Sequence, residues 1–179
     1  MTDGFPQRLQ RRAIYENDWV CLYADTVRLP SGRTVSPYHQ LHFPHASVAV
    51  VMADDRGELL LIRSKRYTTG REEWEVPAGR VETGETPEDA ARRECREETG
   101  CEVEQPHLLC SQNPSNGMSD LLVHVYYARV HGQSDAWDTD EVTDRHWLPE
   151  AEVLAMLRRN EIHCGISMLA LLYALRFHP

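Results

Sequence analysis

Long apolar runs are missing from this sequence. None approaches the ~20 residues that a helix needs to cross a bilayer, so no membrane-spanning helix is expected. The opening segment, MTDGFPQRLQRR, lacks the apolar core of a secretory signal. Paired cysteine motifs are also missing. The five cysteines (Cys21, Cys95, Cys101, Cys110 and Cys164) are odd in number and form no CxxC. That count argues against a disulfide framework or a zinc site and fits free thiols in a reducing cytoplasm. Positive charge is scarce, with 19 Lys and Arg against 28 Asp and Glu, a net charge of −9. That balance argues against nucleic acid or an anionic membrane as the main partner. A small anionic substrate stays open if a metal or local arginines reverse the field at its site. Repeats and low-complexity linkers are absent too, and 179 residues suit one domain with a substantial core.

What is present reads as strands around one helix, followed by two more helices. Residues 18–29 and 33–42 read as strands joined at Pro30–Gly32, forming an N-terminal antiparallel hairpin. HASVAVVM (His45–Met52) is a buried-strand run, and the turn DDRG leads into ELLLIR (Glu58–Arg63), making a second hairpin. LLVHVYYARV (Leu121–Val130) is the longest strand candidate and RHWL (Arg145–Leu148) a short one. Helical spacing of apolar residues marks 149–160 and 165–176. The expected class is mixed α+β, with residues 1–45 an extension of a core at 46–179.

The most informative stretch is RRECREETG, Arg92 to Gly100. Thr86 suits its helix as a cap, Pro87 the first turn, and Gly100 the left-handed exit. Ala91 and Cys95 form the stripe that docks on a sheet. Beside that stripe Glu94, Glu97 and Glu98 crowd one side, where like-charged neighbours cost roughly 0.2–0.5 kcal/mol per pair. Arg92 and Arg96 point away, and Arg93 alone borders the acids. An outside cation is therefore expected, because three carboxylates form the oxygen-rich set that Mg²⁺ or Mn²⁺ prefers. The bland counterpart is a solvated acidic helix.

GRVETGETPEDAARRECREETGC, Gly79 to Cys101, resembles the Nudix box at every fixed position: Gly79, Glu85, Arg93, Glu94, Glu97, Glu98 and Gly100. Cys95 and Cys101 stand at two usually aliphatic positions, where a buried free cysteine acts as a small hydrophobe. WEVPAG (Trp74–Gly79) is similar to the lead-in of the ADP-ribose and nucleoside-diphosphate-sugar pyrophosphatases, whereas the triphosphatase branch tends to have Pro-Gly-Gly. LLLIRSKRY (Leu59–Tyr67) resembles the segment that carries their substrate-facing arginine, here Arg66. PSNGMSD (Pro114–Asp120) resembles their loop before the long strand. Two positions depart from that pattern: Asn116 stands in place of a proline and Leu121 in place of a glutamate.

The resemblance implies a Nudix α/β/α sandwich with a mixed sheet. It also implies metal-assisted hydrolysis of a nucleoside diphosphate sugar to a nucleoside monophosphate and a sugar phosphate. A metal held there lowers the pKa of its water and neutralises phosphate charge. By the same resemblance, Glu94, Glu98 and the Ala78 carbonyl are ligands, Glu97 is a shared or bridging ligand, and Arg93 orients the acids. Glu85 steadies the loop, and the base comes from SDAWDTDEVTD (Ser134–Asp144), with Glu141 preferred over Asp138 and Asp140. Arg66, Arg80, Asn116 and Met118 would face the substrate, Arg63 is an equal candidate for the surface, and Trp137 or Tyr67 is a candidate to stack on the base. His39, His42 and His45 alternate faces in a strand and read as structural. The N-terminal strands imply a homodimer, since similar enzymes pack this segment on a partner. Rival readings are a nucleoside triphosphate or cap-type pyrophosphatase, and a non-hydrolytic sugar-nucleotide-binding module. The latter normally lacks box glutamates that this chain retains.

Overall fold

The structure, a computed structural model, describes residues 4–177. Its contacts divide the chain into two compact units. The first combines residues 1–45 with Asn113–Leu121, and the second combines Ala46–Gln112 with residues 122–179.

The first unit is a three-stranded antiparallel sheet: β1 (Gln7–Glu16), β2 (Cys21–Arg28) and β3 (Thr34–His42), in that order. The expected hairpin is therefore real but wider by one strand. β1 gives no period-2 signal because almost every residue of QRLQRRAIYE is exposed, while its partner β2 carries the buried residues. Arg11 of β1 forks onto the buried carboxylate of Asp25 at 2.9 and 2.8 Å and lies 4.0 Å over the ring of Tyr23. The segment 113–121 is tied to β3 by the Leu41 N–H to the Met118 carbonyl, 2.8 Å, and by the Tyr38 hydroxyl to the Gly117 carbonyl, 2.9 Å. His42 Nδ1 meets Asp120 Oδ2 at 2.6 Å.

The second unit is built on one mixed sheet. β4 (Ser47–Ala53) is its centre, pairing in parallel with β10 (Val123–Gln133) and antiparallel with β5 (Leu59–Arg66) and β7 (Ala78–Arg80). β11 (Val142–Leu148) and β6 (Arg71–Glu75) flank β5, while β8 (Cys101–Val103) and β9 (His107–Gln112) pair with β10. A parallel β4–β10 pair requires a long crossover, and that crossover contains α1 (Pro87–Thr99). SVAVVMA is a continuous aliphatic run because both faces of β4 are covered. Val48, Val50 and Met52 join Ala90, Ala91 and Cys95 of α1 in one cluster. Residues between them face the opposite way, and α3 (Gly165–Phe177) lies along β4 and β10. α2 (Glu150–Arg158) precedes it. No described helix is long and apolar enough to cross a membrane.

α1 starts and stops where its residues dictate. Thr86 Oγ1 accepts the Asp89 N–H at 3.2 Å, Pro87 occupies the first turn, and Gly100 exits at φ 68° with its N–H on the Arg96 carbonyl. Cys95 and Cys101 are both fully buried. The helix thus presents its acidic side at a fixed angle to β7, the strand that holds Ala78 and Gly79.

Candidate active site

Arg93 answers for much of the repulsion on α1. A guanidinium offers five N–H donors, and all five are used. Nε and Nη2 fork onto Glu85 at 2.9 and 3.0 Å, and Nη2 also donates to the Arg80 carbonyl at 2.8 Å. Nη1 donates to Glu94 at 2.6 Å and to Glu97 at 3.0 Å. The hydrogen bonds from Arg93 hold Glu85 below the ordinary carboxylate range, and Glu85 also accepts the Glu82 N–H at 3.0 Å. One cation therefore fastens the loop before α1 to two of the three acids.

Glu98 takes a different partner, the Ala78 N–H at 2.9 Å. It is only 4% exposed, and burial pushes its carboxyl up to about 8. Glu94 is also raised, by burial first, with Arg93 opposing. Glu97 stays half exposed. The charge of Glu141 contributes to the rise at both Glu94 and Glu98, so the preferred base candidate sits within electrostatic reach of both. Gly79 faces the Glu94 carboxylate so closely that a Cβ there would fall 1.9 Å from Oε1. Among the described residues, no three His, Cys, Asp or Glu side chains form a ready-made metal cluster. Glu97 is held by Arg93 and Glu98 by the backbone.

Ala78 and Gly79 also line a cavity of about 450 Å³ with Arg66, Thr68, Thr69 and Arg71. Arg66 is not free in it: Nε and Nη2 grip Glu75 at 2.9 and 2.5 Å. His163 Nδ1 meets the buried Glu73 at 2.9 Å on the same wall.

A model of the Nudix domain matches residues 43–165, most of the chain. The chain belongs to the Nudix family. A second model, the nucleoside diphosphate sugar hydrolase N-terminal domain, matches residues 7–41. This Nudix hydrolase is 35% identical to an ADP-ribose pyrophosphatase of Mycobacterium tuberculosis, over 84% of this chain and 74% of that one. It is 28% identical to a GDP-mannose pyrophosphatase of Yersinia enterocolitica, over 92% of each. A solved structure of an ADP compounds hydrolase superposes with a TM-score of 0.84 at 19% identity, covering 97% of this chain and 94% of that one. That last likeness concerns the fold.

The Nudix box residues Glu85, Arg93, Glu94, Glu97 and Glu98 are thus gathered on one side of α1, against Ala78–Arg80. Asn116 and Met118 lie in the first unit, lining a hollow of about 210 Å³ with Tyr38, Gln40 and Asp120. Arg63 is paired with Glu72 at 2.5 Å and lies over Trp74, 4.6 Å from the ring centre. Tyr67 is 99% exposed, and Trp137 lies under Arg145, 4.0 Å away. Glu73, Glu75 and His163 had gone unremarked in the sequence. Glu73 and Glu75 stand two apart in REEWE, on one side of β6, which was the available signal; His163 lies ninety residues away and gave none.

Proposed function

We propose that this Nudix hydrolase cleaves the diphosphate of nucleoside diphosphate sugars, ADP-ribose among them, to a nucleoside monophosphate and a sugar phosphate. One juxtaposition carries the reading. Ala78 and Gly79 line the cavity and also contact Glu98 and Glu94, so a substrate in the cavity meets the acidic face of α1. The likeness to an ADP-ribose pyrophosphatase and a GDP-mannose pyrophosphatase supports the substrate class.

Glu94, Glu98 and the Ala78 carbonyl would hold Mg²⁺ or Mn²⁺, with Glu97 as a further or bridging ligand. The residues fit such an ion. Two buried carboxylates offer hard oxygens, and the bare Cα of Gly79 leaves the room that a side chain would fill. When bound, the ion supplies Lewis acidity toward the phosphoryl oxygens and lowers the pKa of water. Arg93 aims Glu94 and Glu97, and Glu85 fixes Arg93. Glu141 accepts the proton of the attacking water. Arg66, pre-set by Glu75, meets the diphosphate with the fork geometry suited to phosphate, and Arg80 is a second contact.

A panel of ADP-ribose, UDP-, GDP- and CDP-sugars and nucleoside triphosphates, assayed with Mg²⁺ and with Mn²⁺, tests this. We expect several diphosphate sugars to be cleaved and the triphosphates to stay at background. Turnover of triphosphates alone overturns the reading. Asn116 in place of proline and Leu121 in place of glutamate should loosen selection for ADP-ribose, and cleavage of ADP-ribose alone would remove that expectation.

The protein is also expected to be a homodimer in a reducing cytoplasm. β1 is an edge strand, which exposes unpaired backbone groups, and Leu9, Ile14, Tyr15 and Trp19 on or just beyond it are all exposed. Light scattering should report two chains per particle; a fully active monomer ends this expectation.

A further inference from the structure

We propose that Arg145 is a positioning residue that clamps the loop 134–141, which carries Glu141, onto the C-terminal end of α1. This rests on the assignment of Glu141 as the base.

The loop is an unlikely neighbour for α1 on charge grounds alone. Asp135, Asp138, Asp140 and Glu141 approach a helix that already crowds Glu94, Glu97 and Glu98. Arg145 reaches both the end of α1 and the loop, and Arg96 lines a hollow beside it with Glu97 and Asp138. It stands on β11, whose register with β5 pairs it with Ile62, so its backbone is fixed by the sheet. Its Nη1 donates to the Thr99 carbonyl and, at 2.9 Å, to the Ser134 carbonyl. Its Nη2 reaches Asp135 at 3.1 Å, and its Cζ lies 4.0 Å from the centre of the Trp137 ring. Asp135 is fully exposed, so that ion pair contributes little. The carbonyl bonds and the stacking carry the clamp. The Thr99 carbonyl is one of those a helix leaves unsatisfied at its end, where a cation is favoured by the helix dipole.

Backbone contacts complete the seam. Ser134 N–H donates to the Gly100 carbonyl at 2.9 Å, and Asp138 N–H donates to the Glu97 carbonyl at 2.7 Å. Trp137 Nε1 donates to the Val142 carbonyl at 3.3 Å, closing the loop on itself. Gly100 makes the fit possible twice over. It sits at φ 68°, and a Cβ would fall 2.6 Å from the Ser134 carbonyl oxygen and 2.8 Å from that of Ala136. The loop therefore rests on a bare Cα, and Arg145 holds the same Ser134 carbonyl. Glu141 is placed by this seam, although Arg145 is not among the residues that line the substrate cavity.

The test uses the full chain with ADP-ribose and Mg²⁺. A misplacement of about 1 Å costs on the order of 10²-fold in rate, so Arg145→Ala should lower kcat about ten- to hundredfold while KM holds. Arg145→Lys keeps the charge but loses the fork; it should melt close to the parent and show the same kcat loss. Gly100→Ala also disturbs the seam and should lower kcat, but with a lower melting temperature, since a side chain at φ 68° is strained; Arg145→Lys keeps the test open if Arg145→Ala fails to fold. A glutamate-specific protease should cut after Glu141 faster in each variant than in the parent. On a Glu141→Gln background, Arg145→Ala should cause no further loss. A folded Arg145 variant with parental kcat, or a loss that adds fully to that of Glu141→Gln, overturns the clamp. Full turnover by Glu141→Gln alone instead removes the base assignment, and the two failures are thereby distinguishable.

Discussion

Glu98→Gln is expected to lower turnover by several orders of magnitude while leaving the fold intact. Glu98 is buried, and its Oε2 accepts the Ala78 N–H; the amide oxygen of Gln preserves that bond. What disappears is a buried negative charge and an anionic ligand beside Glu94. A proposed ion that polarises the phosphoryl group and activates water depends on that ligand. In the absence of metal, the variant should melt at or above the parent temperature, because folding the parent must protonate or desolvate the Glu98 carboxylate, a cost that grows from the ordinary carboxylate range up to about pH 8 and that Gln avoids. A gain of 1 kcal/mol would raise the melting temperature by roughly 2–4 °C in a chain of this size. Added Mg²⁺ or Mn²⁺ should stabilise the parent more than the variant, since binding to the folded state alone adds to stability. Thermal melts with and without each ion, beside one turnover assay, measure both effects. Parental turnover by Glu98→Gln would end the metal-site reading.

Gly79→Ala should separate activity from stability still more sharply. Its new Cβ would fall 1.9 Å from Glu94 Oε1 and 2.1 Å from Cδ. Gly79 cannot retreat, because β7 pairs it with Val48 in the buried centre of the sheet. The carboxylate is the far end of a flexible side chain, so it moves instead. Its 2.6 Å bond from Arg93 is then broken, and it leaves the position opposite Glu98. We expect kcat to fall by about 10²-fold or more, comparable to the loss of a preorganised charge-stabilising group, with only a small shift in melting. Gly165→Ala serves as the control, since a Cβ there meets nothing within 4 Å. If Gly79→Ala hydrolyses ADP-ribose as the parent does, Glu94 is not needed at that place. A large loss of melting temperature would instead mean that the backbone, not Glu94, had moved.

Much of α1 was legible in the sequence for local reasons. Its cap at Thr86, its exit at Gly100 and the side that holds Glu94, Glu97 and Glu98 follow from a 3.6-residue period and from residues within one turn. The central strands β4 and β5 were legible for a similar reason, since their aliphatic runs are long enough to exclude water from both faces. β1 was not legible, because an exposed strand shows no alternation. β7 and β8, with three residues each, are too short for any period to appear.

The same limit applies at the candidate site. The sequence determined that Glu94, Glu97 and Glu98 share one side of α1 and that Arg93 borders them. Only the tertiary structure decided how the charge is shared: Arg93 spends its five donors on Glu85, Glu94, Glu97 and the Arg80 carbonyl. Glu98, by contrast, is buried against the Ala78 N–H, twenty positions back along the chain. His163 and Glu73, ninety apart, meet on the cavity wall, and Arg145 reaches the carbonyl of Thr99, forty-six positions away. Local sequence fixes which face of a helix a side chain occupies, because the backbone period is intrinsic to the helix. Which distant group that face meets depends on sheet register and crossover path, which are set by the packing of the whole chain.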